Sequence, residues 1–166
     1  AANPYANKIV YLFLGGFLIA TAIQKWNLHK RIALFVLNNA GSNGASLILG
    51  FMVTAAVISM WVMNTATTIM LLPIGLAVIT VVKETVKGLS EKETENFQLA
   101  LLLGIAYGAT IGGMSTLIGT GPNGMLAAFM ADNYGLDISF VDWMKVGVPL
   151  SAVSYTHLTL PTMLWV

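Results

Sequence analysis

The sequence predicts an all-α integral membrane protein in which transmembrane helices accompany a re-entrant helical hairpin and a discontinuous helix. Three observations predict it. Of 166 residues, 57% are hydrophobic and only 9% are charged, against roughly 25% charged in a soluble domain, so the chain cannot clothe a water-facing surface. The charges cluster, leaving Ile9–Gln24, Ile32–Val82 and Asn96–Ala131 free of them. The two longer blocks each carry an interruption: polar at the centre of one, rich in glycine within the other. Soluble enzymes and DNA-binding modules are excluded. A net charge of +1 gives no sign of a nucleic-acid partner, and zero cysteines exclude disulfides and thiolate metal sites.

The elements follow in order. Residues 1–44 hold a first span, Ile9–Gln24, about one bilayer crossing, and then an interfacial helix over Leu28–Ala40 with Lys30 and Arg31 at its start. Gly41-Ser42-Asn43-Gly44 is a turn. Residues 45–82 would run ~57 Å as one helix, nearly twice a ~30 Å hydrocarbon core, so the chain must turn back. The midpoint falls at Met63-Asn64, among Ser59, Thr65, Thr67 and Thr68. The apolar arms Leu47–Ile58 and Ile69–Val82 hold 12 and 14 residues, short for full spans, which favours a re-entrant hairpin over two spans joined by an aqueous turn. Residues 83–96 form a charged cytoplasmic loop. Residues 97–131 form a helix broken by the glycines and proline of Gly112–Gly124; a helix ending at Gly112 before an outer loop is the alternative. Residues 132–142, with Asp132, Asp137 and Asp142, are an external loop, and 143–152 begin the next span.

Six of the eight Lys and Arg residues lie in 25–31 and 83–92, which the positive-inside rule makes cytoplasmic. Trp26 and Trp143 beside charge clusters read as interfacial anchors. The start, Ala1-Ala2-Asn3, reads as an internal cut in a longer protein. Residues 153–166 contain Val-Ser-Tyr-Thr-His-Leu-Thr-Leu-Pro-Thr, a string matching one reading frame of a transposase-type sequencing adapter. Native sequence is expected to stop near Ala152, so His157 and Pro161 carry no functional weight. A genomic read continuing through Val166 overturns that expectation.

A hairpin tip and a broken helix at one depth are the usual parts of a secondary-transporter binding site. Unwound carbonyls suit Na⁺, and half-helix N-termini suit carboxylate or sulfate oxygens. Asn64 or Thr65 can cap the second arm, and Asn123 opens the resumed helix after Pro122. No Lys, Arg or His lies in the hairpin or the broken helix. Two helix termini supply about one unit of positive charge, so a dianion needs co-bound cations, and sodium coupling becomes the physical expectation. The blander reading of the same residues is that Asn64 and the threonines satisfy backbone at a turn, that Gly15-Gly16 and the other glycines permit close packing, and that the methionines fill space.

Several separated motifs then resemble, in order, those of the divalent anion:sodium symporter family. Phe13-Leu14-Gly15-Gly16-Phe17, Trp26 and Leu28-His29-Lys30-Arg31-Ile32-Ala33 resemble the approach to its interfacial helix. Met60-Trp61-Val62-Met63-Asn64-Thr65-Ala66-Thr67-Thr68 with Leu72-Pro73-Ile74 resembles its hairpin tip, and Gly112-Gly113…Thr116…Ile118-Gly119-Thr120-Gly121-Pro122-Asn123 its broken helix. The resemblance covers about residues 9–152. It implies substrate contacts from Asn64, Thr65, Thr116 and Asn123. It implies sodium contacts from Ser59, Met63, Asn64, Gly112 and Gly113. Met63 stands where the family has Ser, so only its backbone carbonyl would serve. The family carries a second, inverted copy of these elements and no second Asn-Thr-Ala-Thr string occurs here, so the chain is expected to be an N-terminal-half fragment, one inverted repeat of a secondary transporter.

The resulting expectation is sodium-coupled, elevator-type transport of a di- or tricarboxylate (succinate-, malate- or citrate-like) or a sulfate-like anion. Its partners are the small anion, Na⁺ as co-transported ion and the lipid bilayer, in a homodimeric multi-pass protein of the inner (plasma) membrane. A proton-driven organic-anion or oxyanion permease is the alternative; the absence of an acidic residue at the midplane counts against it. An intramembrane enzyme would need His, Asp or Glu beside a serine at depth, and there is none. A structural subunit would not need two breaks at one depth.

Overall fold

The computed structural model describes residues 8–40, 43–86 and 90–164. Among these the chain is all-helical, as expected: α1 (Lys8–Lys25), α2 (Leu28–Ala40), α3 (Gly44–Ser59), α4 (Asn64–Thr85), α5 (Glu91–Met114), α6 (Gly121–Tyr134) and α7 (Phe140–Leu164).

The turn between α1 and α2 is made by Asn27 at φ 51°, a left-handed conformation that Asn tolerates better than most side chains. It folds α2 back so that His29 is buried while Trp26, Leu34 and Phe35 are exposed. The turn expected at 41–44 lies partly outside the described residues, as does Lys87 of the charged loop.

The body is a packed triple of α3, α4 and α5. Phe51, Met52, Ala55 and Ile58 of α3 meet Leu71 and Ile79 of α4 and Leu101, Ile105 and Ala109 of α5, all buried. Glycines spaced by four bring α3 and α5 together. A β-carbon at Gly104 would stand 3.0 Å from Met52 Cγ and one at Gly108 2.6 Å from the Met52 carbonyl oxygen, while one at Gly112 would collide with the Ala56 backbone. The two backbones therefore touch, a small-residue contact that suits helices in lipid.

The helices differ from the expected arms in length. The tip is Met60–Met63, and α3 and α4 contain 16 and 22 residues, rising about 24 and 33 Å. The arms lengthen because Gly44, Ala45, Ser46 and Ser59 extend α3, and Thr65, Thr67, Thr68, Lys83 and Glu84 extend α4, beyond the apolar runs. With Pro73 inside it, α4 is still long and apolar enough to cross a membrane, as is α5. Arm length alone therefore does not set the depth of the tip.

The segment expected to be a loop, 83–96, is largely helical where described. Ser90 accepts from the Glu93 backbone N–H at 3.2 Å, and Glu93 returns a bond to the Ser90 N–H at 2.8 Å. This capping box starts α5 six residues before Phe97. At the other side, α6 ends at Gly135 in the left-handed conformation, φ 64°. Irregular chain then leads to α7, which runs on through 153–164. It braces the end of α5: Trp143 Nε1 donates to the Met114 carbonyl at 3.1 Å and the Ser151 hydroxyl to the Ile111 carbonyl at 2.9 Å. A β-carbon at Gly147 between them would stand 2.8 Å from the Met114 and Ser115 carbonyl oxygens.

Candidate functional site

Two interruptions of helix meet at one place. The first is the tip Met60–Met63. α3 closes onto its own carbonyls, and α4 begins behind Met63, whose carbonyl accepts from the Thr67 N–H at 3.0 Å. The second is the link Ser115–Thr120. Ser115 N–H donates to the Gly112 carbonyl at 3.0 Å, and α6 begins behind Thr120 with Pro122 in its first turn. Neither α4 nor α6 has a side chain capping its start among the described residues.

Side chains join the two. The Asn64 amide satisfies both its ends only with nitrogen turned toward three acceptors: the Ala109 and Gly119 carbonyls at 3.2 Å and the Ser59 hydroxyl at 2.7 Å. The amide lies where a β-carbon on Gly113 would collide with it, and a β-carbon on Gly119 would stand 2.5 Å from the Gly113 carbonyl oxygen. These two glycines make room for the contact. Thr116 is fully buried. Its hydroxyl donates to the Met60 carbonyl at 2.5 Å and accepts from the Gly119 N–H at 3.0 Å. Asn123 Nδ2 donates to the carbonyls of Gly113 at 3.1 Å and Thr116 at 2.7 Å.

The structure thus brings together Ser59, Asn64, Gly113, Thr116 and Asn123, five of the eight residues singled out. Gly112 is adjacent, but its place in the packing is the close contact with Ala56. The Met63 side chain is exposed. Thr65 is exposed too, and its hydroxyl has no hydrogen-bond partner among the described residues. Two expectations about capping need correction. The cap position of α4 is Met63, so Asn64 and Thr65 lie inside the first turn and cap nothing. The helix after the break opens at Gly121, and Asn123 turns its amide inward onto the break. Met60 and Gly119 complete the network and had not been singled out; only the fold shows that the tip and the link are neighbours. Trp143, read as an interfacial anchor, spends its polar end on α5.

The chemistry on offer is narrow. Backbone carbonyls and neutral hydroxyls and amides are hard oxygen donors and amide N–H donors. The free N–H groups of two helix starts favour negative charge. No three His, Cys, Asp or Glu residues converge among the described residues; the oxygens present are neutral, of the kind that suits hard cations.

A family model described as "Citrate transporter" matches residues 1–166. The sodium-dependent dicarboxylate transporter SdcS of Staphylococcus saprophyticus subsp. saprophyticus is 44% identical over 146 residues, 87% of this chain and 28% of that protein. SdcS of Staphylococcus aureus (strain USA300) is 42% identical over 149 residues, 89% of this chain and 29% of that protein. The chain spans under a third of the length of these curated relatives. Matched end to end by the family model, and with the separated motifs of the tip and the break in the expected order, the chain is a membrane protein of the citrate transporter family and of the divalent anion:sodium symporters, a family of transporters rather than enzymes.

Proposed function

We propose that this chain supplies one half of the binding site of a sodium-coupled transporter for di- or tricarboxylates. The observation that carries the reading is the convergence of two uncapped helix starts, at Asn64 and Gly121, on a cluster of backbone carbonyls, in segments whose sequence holds no Lys, Arg or His. Helix starts hold carboxylate oxygens and carbonyls hold Na⁺. The names of the relatives, sodium-dependent dicarboxylate transporters, support the same reading. Thr65 offers its free hydroxyl to the substrate, beside Asn64. The sodium ligands are Ser59, the carbonyls of Met63, Gly112 and Gly113, and Asn64, whose amide turns its oxygen inward in place of its nitrogen when the ion binds. The protein works as a multi-pass homodimer of the plasma membrane, and the hairpin and break travel together in an elevator motion.

The experiment is uptake of labelled succinate, malate and citrate by the full-length protein in vesicles under a sodium gradient, a potassium gradient or a proton gradient. Uptake driven by sodium supports the reading; uptake driven by protons alone refutes it. Access to the tip tests the re-entrant arrangement. Thr67 is fully buried and makes a poor probe, whereas Thr65 is exposed. A cysteine at Thr65, in a protein otherwise free of cysteine, should react with an impermeant thiol reagent from the cytoplasmic side, and more slowly once sodium and substrate are added. Reaction from the outside only, indifferent to ligands, would make the tip an external turn.

A further inference from the structure

Thr116 stands out in the site by both donating and accepting through its hydroxyl while presenting none of it. It is 0% exposed. Its proton goes to the Met60 carbonyl, 56 residues away in sequence and at the end of α3. Its lone pair takes the Gly119 N–H, inside the link that breaks α5 from α6. The Thr116 carbonyl is taken by Asn123. With its one proton committed and no surface presented, the side chain has no donor left for an anion, although it sits within the residues that would bind one. We infer that Thr116 is a positioning residue: it sets the hairpin tip onto the helix break, so that Ser59 and Asn64 on one side and Gly113 on the other keep the spacing a cation needs.

The contacts around it make this a joint rather than packing alone. Met60 is the first residue past α3, and its carbonyl points away from the helix into the break. Gly119 lies against Gly113 and the Ser59 carbonyl, the nearest approaches of a β-carbon there being 2.5 Å and 2.9 Å. One hydroxyl therefore ties the tip to the link at the residue that touches both Ser59 and Gly113. The other tie, through Asn64, belongs to the proposed ligand set itself and must be free to respond to the ion. Thr116 is the tie that need not respond.

The test uses the full-length protein with Thr116→Ser, Thr116→Cys and Thr116→Val, and Thr110→Val as a control whose hydroxyl bonds only within α5. The first readout is independent of transport. A cysteine at the exposed Met63 reports the tip, and its rate of reaction with a small thiol reagent should rise about fivefold in Thr116→Val while staying near the parent in Thr116→Ser; Thr116→Cys is left out of this arm. The second readout rests on the sodium-coupled reading. The sodium concentration for half-maximal uptake should rise about tenfold in Thr116→Val, less in Thr116→Cys, and be restored in Thr116→Ser. If Thr116→Val does not reach the membrane, the Ser–Cys comparison decides: a raised sodium requirement in Cys but not Ser supports the assignment, and equal values overturn it. A rise in the substrate requirement alone, at saturating sodium, would make Thr116 a substrate ligand and overturn it too. A wild type that needs no sodium sinks the functional reading, and the labelling rates still judge Thr116.

Discussion

Four helices in this chain start in two different ways. α5 and α7 start behind their own side chains. Ser90 and Glu93 exchange bonds across the first turn of α5. Ser139 accepts from the Asp142 N–H at 3.2 Å and donates to the Asp142 carboxylate at 2.6 Å, with Lys145 2.6 Å from the same carboxylate. α4 and α6 start behind Met63 and Thr120 with no side chain on their free N–H groups. The lack is not for want of candidates. Asn64, Thr65 and Asn123 lie in those first turns, but the Asn64 amide is spent holding the tip to the break and the Asn123 amide on carbonyls within the break itself. Free N–H groups away from water are costly. α3 also starts without a side-chain cap, behind Asn43, so an open start alone marks nothing; what sets α4 and α6 apart is that their open starts adjoin the tip and the break of the proposed site. That is the physical basis for placing an anion there.

The largest expected effect tests the inner pair. Gly113→Ala puts a methyl group into the Asn64 amide; it should destabilise the protein by about 1–3 kcal/mol and nearly abolish uptake. Gly15→Ala, with open space around the new carbon, should do neither. Equal behaviour of the two would mean that tip and break are not in contact. Next comes Thr65→Val. Because the hydroxyl has no protein partner, thermal stability should stay put while the substrate concentration for half-maximal uptake rises about tenfold; a fall in melting temperature with unchanged uptake would return Thr65 to a structural role. The outer starts come third. Ser90→Ala should cost about 1 kcal/mol of stability and leave transport alone, whereas Thr120→Ala, removing a side chain that caps nothing, should cost much less. If Thr120→Ala destabilises as much as Ser90→Ala, the contrast between the two classes is wrong. The smallest effect is Met63→Ser. A hydroxyl at the cap position of α4 should add a few tenths of a kcal/mol and lower the sodium requirement, since it restores the oxygen of the family motif. No change in either would show a side chain that faces away from both.

Much of this was legible in the chain of letters, and the illegible part has a common cause. A charge-free stretch too long for one crossing must turn, and the polar cluster from Ser59 to Thr68 marked where. Five glycines and a proline between Gly112 and Gly124 marked the break. Residue type locates an interruption; it does not say which way a side chain then points. Asn64, Thr65, Thr116 and Asn123 were all expected, from the resemblance, to face ligands, while the structure turns Thr116 and Asn123 into the protein and leaves Thr65 with a free hydroxyl. Two further signals were present and outweighed by stronger ones. Ser90-x-x-Glu93 is a helix start, masked by the density of charge around it. The period of four through Gly104, Gly108 and Gly112 is a helix contact, masked because Gly112 also opens the break.

That period has a genetic consequence. Any missense change in a glycine codon adds a β-carbon, so what an allele costs depends on what the carbon meets. At Gly104 it meets the flexible Met52 side chain at 3.0 Å, which can shift, and an alanine allele there should be mild. At Gly108 and Gly112 it meets the backbone of α3, which cannot withdraw without parting from α5. No conservative replacement exists at those two positions. Variation tolerated in a population should fall at their codons almost entirely on the silent third base, while the codons for residues such as Leu99 and Leu103, exposed on the same helix, drift among apolar alternatives.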